Sequence, residues 1–368
     1  MKKKEGIIIG WHDKKNIGDE ATLYCLLKIL KINLNLNKIY VLNNQNDVNF
    51  KLNYLQGIFS KNKYINYFIR FFLLKFYIKK SDIIVFGAGN TFQSIWSIKK
   101  KNNYLKYANK NAKIFALGVS LEVSKYEKDA NLKKKVLNLL NKLNLLVVRD
   151  RKSFSFLKKY NVENIYYEKD VAHLLPNFIK TKKKNLKKTI SISFRDWHDN
   201  PRNTGILLDK LSKLIYDIVK KYDFEKINLI PFSYDRSTLN DVDDLILIKD
   251  KLIKFEKKFE KKIFIYDKVQ NFKTIYSLIN NSDLVIGLRL HSQIFSLIND
   301  IPFLAFSYNE KVINYLEDKK KNKFYLLEAD TKFNRKAIYR FLNKNLFLKR
   351  KINKSNLNIF KKIFSDVK

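Results

Sequence analysis

Short, wholly apolar runs recur along this chain: Ile7–Ile9, Ile83–Phe86, Ile114–Leu117, Leu145–Val148, Leu284–Ile286 and Phe303–Phe306. Continuous runs of this kind read as strands buried on both faces, which is how strands sit in a parallel sheet covered by helices. Between them lie longer helical stretches, such as Leu132–Leu143, Leu207–Tyr222 and Asp241–Phe259, so strand and helix alternate through the chain. Further strands are expected at Lys38–Leu42, Ile165–Tyr167, Thr189–Phe194, Lys226–Pro231 and Ile263–Tyr266, whereas Asn43–Asn62 reads as loop. The alternation predicts α/β architecture with doubly wound sheets. A lysine-rich linker near Thr181–Thr189 divides it, and 368 residues suit two such domains. The expected bounds are 1–180 and 189–330, with a helical tail over 331–368.

The turns after these runs carry the residues with chemistry, and in open parallel sheets ligands bind beyond the carboxyl ends of the strands. Gly287 leads into Arg289-Leu290-His291-Ser292, with a helix expected from Gln293 to Ile298. If that loop is extended, the i, i+2 spacing turns Arg289 and His291 the same way. A permanent cation beside a titratable imidazole suits an anionic substrate undergoing proton transfer. Taken structurally, the same arginine would pair a carboxylate at the sheet edge and the histidine would pack. Asn16-Ile17-Gly18-Asp19-Glu20 follows the first strand and opens a helix from Ala21. Asp19 or Glu20 would favour that helix's positive end, and an amide with a carboxylate also suits sugar hydroxyls. Gly87 and Gly89 let the backbone approach a ligand, and amides at a helix start there suit an oxyanion. Arg149 reads as a tie to a carboxylate and Asp150 as the cap of the helix that follows. His12 and His198 sit on strand-end loops, while His173 lies in an apolar run and reads as packing.

Lys and Arg number 74 against 35 Asp and Glu, a net of +39. Lysine is spread along the chain with abundant Asn, Ile, Phe and Tyr, a pattern that AT-rich coding produces without selection for a nucleic-acid surface. The surplus favours anionic substrates or lipid surfaces over nucleic acid. The single cysteine, Cys25, excludes a disulfide framework and agrees with a cytoplasmic setting. Ile7–Ile9 is too short for a signal peptide's apolar region. Tyr64–Ile78 contains Arg70 and Lys75 and falls short of the roughly 20 residues that span a bilayer. It reads as a buried helix, with an interfacial helix on the inner membrane face as the alternative.

Arg289-Leu290-His291-Ser292-x-Ile294-Phe295, with Ile301-Pro302 and Ser307-Tyr308-Asn309-Glu310-Lys311-Val312, resembles the carboxyl-terminal signature of the polysaccharide pyruvyl transferase family. Asn16-x-Gly18-Asp19-Glu20-Ala21, Arg149-Asp150-x-x-Ser153 and Asp170-x-Ala172 resemble further elements of that family. So does Gly87-Ala88-Gly89-x-x-Phe92-Gln93, with Ala88 in place of a glycine. The resemblance implies two Rossmann-like domains facing a cleft, as in glycosyltransferases of the B type. It also implies transfer of pyruvate from phosphoenolpyruvate to a glycan or lipid-linked sugar, forming a cyclic ketal. In that reading Arg289 and Arg195 hold the anion and His291 is the acid or base, since a free imidazole titrates at ~6.5. Asn16, Asp19, Gly87, Gly89 and Ser307 would bind substrate, and neither a metal nor a cofactor is expected. The alternative of the same fold is a nucleotide-sugar glycosyltransferase, but no suitable Glu stands at the helix start near Gly287–Ser292. A third class, a basic nucleic-acid or membrane binder without catalysis, would gather its lysines on one face.

Overall fold

The computed structural model describes residues 4–10, 15–41, 53–54, 63–87, 89, 91–181, 187–195, 204–234, 241–307, 310–316, 323–328, 333–346, 348, 350 and 355–366. They form two compact units, one of residues 1–13, 22–171 and 356–368, the other of residues 14–21 and 172–355.

The first unit holds seven parallel strands: β1 (Glu5–Ile9), β2 (Lys38–Val41), β3 (Asn53–Tyr54), β4 (Ile83–Phe86), β5 (Lys113–Val119), β6 (Leu145–Val148) and β7 (Ile165–Tyr167). Their order is β3-β2-β1-β4-β5-β6-β7. The chain winds outward from β1 in one direction, returns to β4 beside β1, and winds the other way, so the topological switch lies between β1 and β4. Ile7, Ile9, Ile84, Phe86, Leu146 and Val148 share one core with Leu74, Ile78, Ile98, Val136 and Leu139 from the covering helices. Over residues 71–80 the helix Lys63–Lys80 is only partly buried: Leu74 and Ile78 face the core, whereas Phe72 and Phe76 stand in solvent. This corrects the expectation of a buried helix. Arg149 donates to Ser120 Oγ at 2.7 Å and Asp170 at 2.6 Å, and Asp150 accepts from Ser153 N at 2.8 Å, both as the residue types suggest.

The second unit holds six parallel strands: β8 (Thr189–Ser193), β9 (Lys226–Leu229), β10 (Ile263–Ile265), β11 (Leu284–Gly287), β12 (Phe303–Ser307) and β13 (Phe324–Glu328). The order β10-β9-β8-β11-β12-β13 puts its switch between β8 and β11. Leu207, Leu211, Leu214, Ile218 and Tyr222 recur at helical spacing on Thr204–Tyr222 and bury against Ile190, Ile192, Leu229 and Ile286.

The chain is partitioned differently from the expected bounds. Residues 172–178 cluster with the second unit, where His173 Nε2 lies 2.5 Å from Tyr315 Oη and Asn177 Nδ2 donates to Ser355 O at 2.7 Å. Ile338 and Leu342 of the helix Arg335–Asn345 enter the second core. Residues 356–368 join the first unit, with the Phe364 ring 5.8 Å from Phe115 and Tyr166 Oη donating to Asp366 Oδ2 at 3.1 Å.

Candidate active site

In the second unit, β8 runs out into Arg195 and the adjacent β11 into Arg289, so the two arginines leave the carboxyl ends of the strands that flank the switch. Ser307 ends β12, one strand further along, and is half-buried. Parallel pairing alone puts these positions at one edge of the sheet, the edge where such folds bind ligands.

The turn after β11 is tighter than the expected extended loop. A Cβ on Gly287 would overlap Ser292 Oγ and stand 3.5 Å from Gln293 Cγ, so only glycine admits these side chains over the strand end. The helix begins at Leu290 rather than Gln293, with Ser292 Oγ donating back to Arg289 O at 2.6 Å. Gln293, fully buried, donates from Nε2 to Gly287 O at 2.8 Å and Phe306 O at 3.3 Å, tying β11 to β12. Arg289 is thus the residue capping the helix and His291 lies in its first turn, so the i, i+2 rule for extended chain does not govern their directions.

They instead reach different partners. Arg289 lies side-on against Asp241: Nε is 3.1 Å from both carboxylate oxygens, and Nη2 also pairs with Oδ1. Asp241 is fully buried at the start of the helix Asp241–Phe255, and its Oδ2 also accepts from Phe232 N at 2.9 Å and Ser233 N at 3.1 Å. Planar bidentate pairing with extra backbone donors is the geometry that lets a charged pair tolerate burial. One edge of the guanidinium is committed to Asp241, which fixes the plane in which Arg289 can meet a second anion.

His291 lies against the turn at residue 18. A Cβ built on Gly18 would stand 2.7 Å from His291 Cε1 and closer still to Cγ and Nδ1. The turn is held by Asn16, whose Oδ1 accepts from Gly18 N at 2.9 Å and Asp19 N at 3.3 Å. Asn16 is therefore a helix cap first, and any contact with a substrate would come in addition. Ile17 N donates to Phe232 O at 3.0 Å and Tyr234 N to Lys15 O at 3.2 Å, so the turn pairs with the stretch that also donates to Asp241. Phe232–Tyr234 thereby links the supports of Arg289 and His291.

Glu20, expected at the start of its own helix, accepts instead from the backbone N–H of Phe272, at the start of the helix Phe272–Asn280. Burial pushes its carboxyl from the usual 4.5 up to about 7, and the Phe272 hydrogen bond opposes the shift without cancelling it. Burial also raises the Tyr234 phenol, and the charges of Asp241, Asp267 and Glu20 add to this. A carboxyl that holds its proton near neutrality, in the 16–20 turn against which His291 lies, is suited to acid–base work.

Gly87 and Gly89 lie in the first unit. Gly87 N donates to Ile9 O at 3.0 Å and Gly89 N to Gly118 O at 3.2 Å, so the two amides complete the backbone network rather than meet an oxyanion. Gly89 has φ +92, which explains the glycine, and a Cβ there would have no neighbour within 4 Å. The helix that follows, Ile95–Leu105, carries its own cap in Ser94 and Ser97. Among the sequence candidates, His12, His198, Ala88 and Tyr308 lie outside the described residues, as do most of Asn43–Asn62 and 182–186 of the linker.

Two doubly wound parallel sheets, each with its switch point, define the glycosyltransferase-B fold. Solved structures with that fold cover nearly the whole chain. A structure described as a putative UDP-N-acetylglucosamine 2-epimerase from Listeria monocytogenes matches with TM-score 0.68 at 10% identity, over 100% of this chain and 96% of that one. The UDP-GlcNAc 2-epimerase of Methanocaldococcus jannaschii matches with TM-score 0.62 at 15% identity, over 99% of both. The S. aureus MnaA-UDP co-structure matches with TM-score 0.61 at 12% identity, over 100% of this chain and 91% of that one. At such identities the likeness concerns the fold alone. No curated protein matches the sequence. The family model for polysaccharide pyruvyl transferase matches residues 16–310, and the chain belongs to that family.

Proposed function

We propose that the protein transfers the pyruvyl group of phosphoenolpyruvate to two hydroxyls of one sugar, in a polysaccharide or a precursor of one. The reading is carried by Arg289, held side-on by the buried Asp241 at the β8–β11 switch, with His291 seated in the same turn. Membership of the family supports it.

Phosphoenolpyruvate carries a carboxylate and a phosphate, and Arg289 and Arg195 supply cations that leave adjacent strands. A proton delivered to the methylene carbon makes carbon 2 electrophilic. One hydroxyl adds there, phosphate leaves, and the second hydroxyl closes the ketal. Of the two hydroxyl protons, one balances the proton now in the methyl group and the other leaves with phosphate. His291 is the donor to carbon in this scheme. Glu20, protonated up to about pH 7, stands in the 16–20 turn against which His291 lies, and in this scheme it takes or returns a hydroxyl proton directly or through water.

The deciding experiment is thermal unfolding with phosphoenolpyruvate or a UDP-sugar, followed by a search for ketal in the acceptor by mass spectrometry. Stabilisation by phosphoenolpyruvate alone is expected, since a ligand of the native state raises the melting temperature by mass action. Stabilisation by the UDP-sugar alone would assign the chain to nucleotide-sugar transfer.

A further inference from the structure

The first unit presents a surface that the proposed reaction does not use. Phe72 and Phe76, one helical turn apart on Lys63–Lys80, are 61% and 59% exposed, and Trp96 on Ile95–Leu105 is 66% exposed. The two helices cover the same core, with Leu74 and Ile78 from one and Ile98 and Tyr104 from the other. Phe71 meets Tyr107 edge-on at 6.1 Å, which places the first helix against the end of the second. Lys75, Lys79 and Lys100 are exposed among these rings, Lys75 lying 4.7 Å over Tyr107 and Lys100 lying 4.8 Å over Trp96.

The charge here departs from the rest of the sequence. Residues 63–113 contain eleven Lys and Arg and a single acid, Asp82, whereas the whole chain has 74 against 35. A compositional surplus of lysine does not remove the acids from one pair of helices.

We propose that the outer face of these two helices docks the protein on an anionic lipid surface. Rings without a polar handle, such as Phe72 and Phe76, fit the acyl boundary, and an indole such as Trp96 fits the headgroup layer. Lysines around them run their stems along the apolar layer and leave the ammonium among anionic headgroups. The face is complementary to a negative surface because it lacks acids. A protein partner would more commonly meet a rim of mixed charge, and a nucleic-acid duplex offers nothing for wholly apolar rings. Among the described residues no helix is long and apolar enough to cross a membrane, so the contact is peripheral. It does not depend on the reaction proposed above.

The test is co-sedimentation of the full chain with vesicles of phosphatidylcholine alone or mixed with phosphatidylglycerol, at about 0.15 M salt, where charges are screened beyond about 8 Å. Binding is expected to the anionic vesicles only. Phe72→Ser/Phe76→Ser/Trp96→Ser should weaken it at least about tenfold, and Lys79→Glu/Lys100→Glu by more than about tenfold, each lysine being worth about fivefold near such a surface. Both variants should keep the wild-type melting temperature and phosphoenolpyruvate binding. Equal sedimentation of wild type and both variants would overturn the proposal, as would an aromatic variant that turns a dimer into a monomer. So would an oligonucleotide that binds in place of vesicles and loses affinity in the same variants.

Discussion

The ring of His291 fills the space in which a side chain on residue 18 would stand. Gly18 is thus required by its neighbour in space as much as by its own backbone. Alanine normally suits a helical position better than glycine by up to about 1 kcal/mol, so Gly18→Ala would be neutral or stabilising in an isolated helix. Here it must push His291 aside. The expected outcome is a loss of turnover of at least about tenfold with little change in melting temperature. In the His291→Ala background the same substitution should cost nothing further, because contacting residues are not additive. A Gly18→Ala effect that persists in the double variant would mean that the glycine acts on something else.

The Arg289–Asp241 pair makes a prediction about stability. Removing one partner from a buried ion pair typically costs roughly 3 to 5 kcal/mol, because the other charge is left uncompensated. The Arg289 side chain keeps 13% of its exposure, so Asp241→Asn should fall toward the lower end of that range. Asparagine also offers one acceptor where the carboxylate serves Phe232 N, Ser233 N and Arg289 together. Asp241→Asn/Arg289→Met should recover part of the stability and none of the activity. Chemical denaturation of the three chains checks this, and a double variant less stable than Asp241→Asn would contradict it.

Glu20 makes stability depend on pH. Its folded-state carboxyl is raised to about 7, so the native state binds more protons than the unfolded chain between pH 4.5 and about 7, and stability falls as pH rises through that window. The full shift corresponds to on the order of 3 kcal/mol. Glu20→Gln should match wild type at pH 4, exceed it by up to that amount at pH 8, and flatten the slope between. Urea unfolding at a series of pH values measures it. An unchanged slope in the variant would place the titration on another group.

How much of this was legible in the sequence differs with the range of the interaction. Most strands of both sheets could be read because buried parallel strands are largely apolar, and the winding followed from their alternation with helices. Two strands were missed: Asn53–Tyr54, two residues inside the expected loop Asn43–Asn62, and Phe324–Glu328, which follows a run of lysines; only pairing with Lys38–Val41 and with Phe303–Ser307 makes them strands. The helix start at Leu290 was hidden because no side-chain cap marks it; the hydrogen bond from Ser292 back to Arg289 O does that work. Arg289, His291 and the turn at Asn16 could be picked out by residue type, since each follows a strand. Their partners could not. Asp241 lies 48 residues before Arg289, and its acidic neighbours Asp243 and Asp244 look equally eligible in the sequence. Glu20 read as the companion of its own helix, and only tertiary packing carries it to the start of another.

Arg289→Lys and His291→Ala should fail in different ways. Lysine keeps the charge but loses the planar fork, so the side-on contact with Asp241 becomes a single point and the cation is no longer held in a fixed plane. A charge-assisted hydrogen bond of about 1.5 to 3 kcal/mol is at stake, and phosphoenolpyruvate binding should weaken by roughly tenfold to a hundredfold. If this contact holds substrate and transition state alike, the loss falls on KM. His291→Ala removes a proton donor and leaves the anion-holding groups in place. Turnover should drop by on the order of 100-fold to 10,000-fold with KM near that of wild type. Both chains must melt close to wild type, because a histidine that only packs against Gly18 would lower stability and activity together. Turnover close to wild type in His291→Ala would remove it as the acid, and Glu20, which shares the turn that His291 contacts, would then be the group to replace.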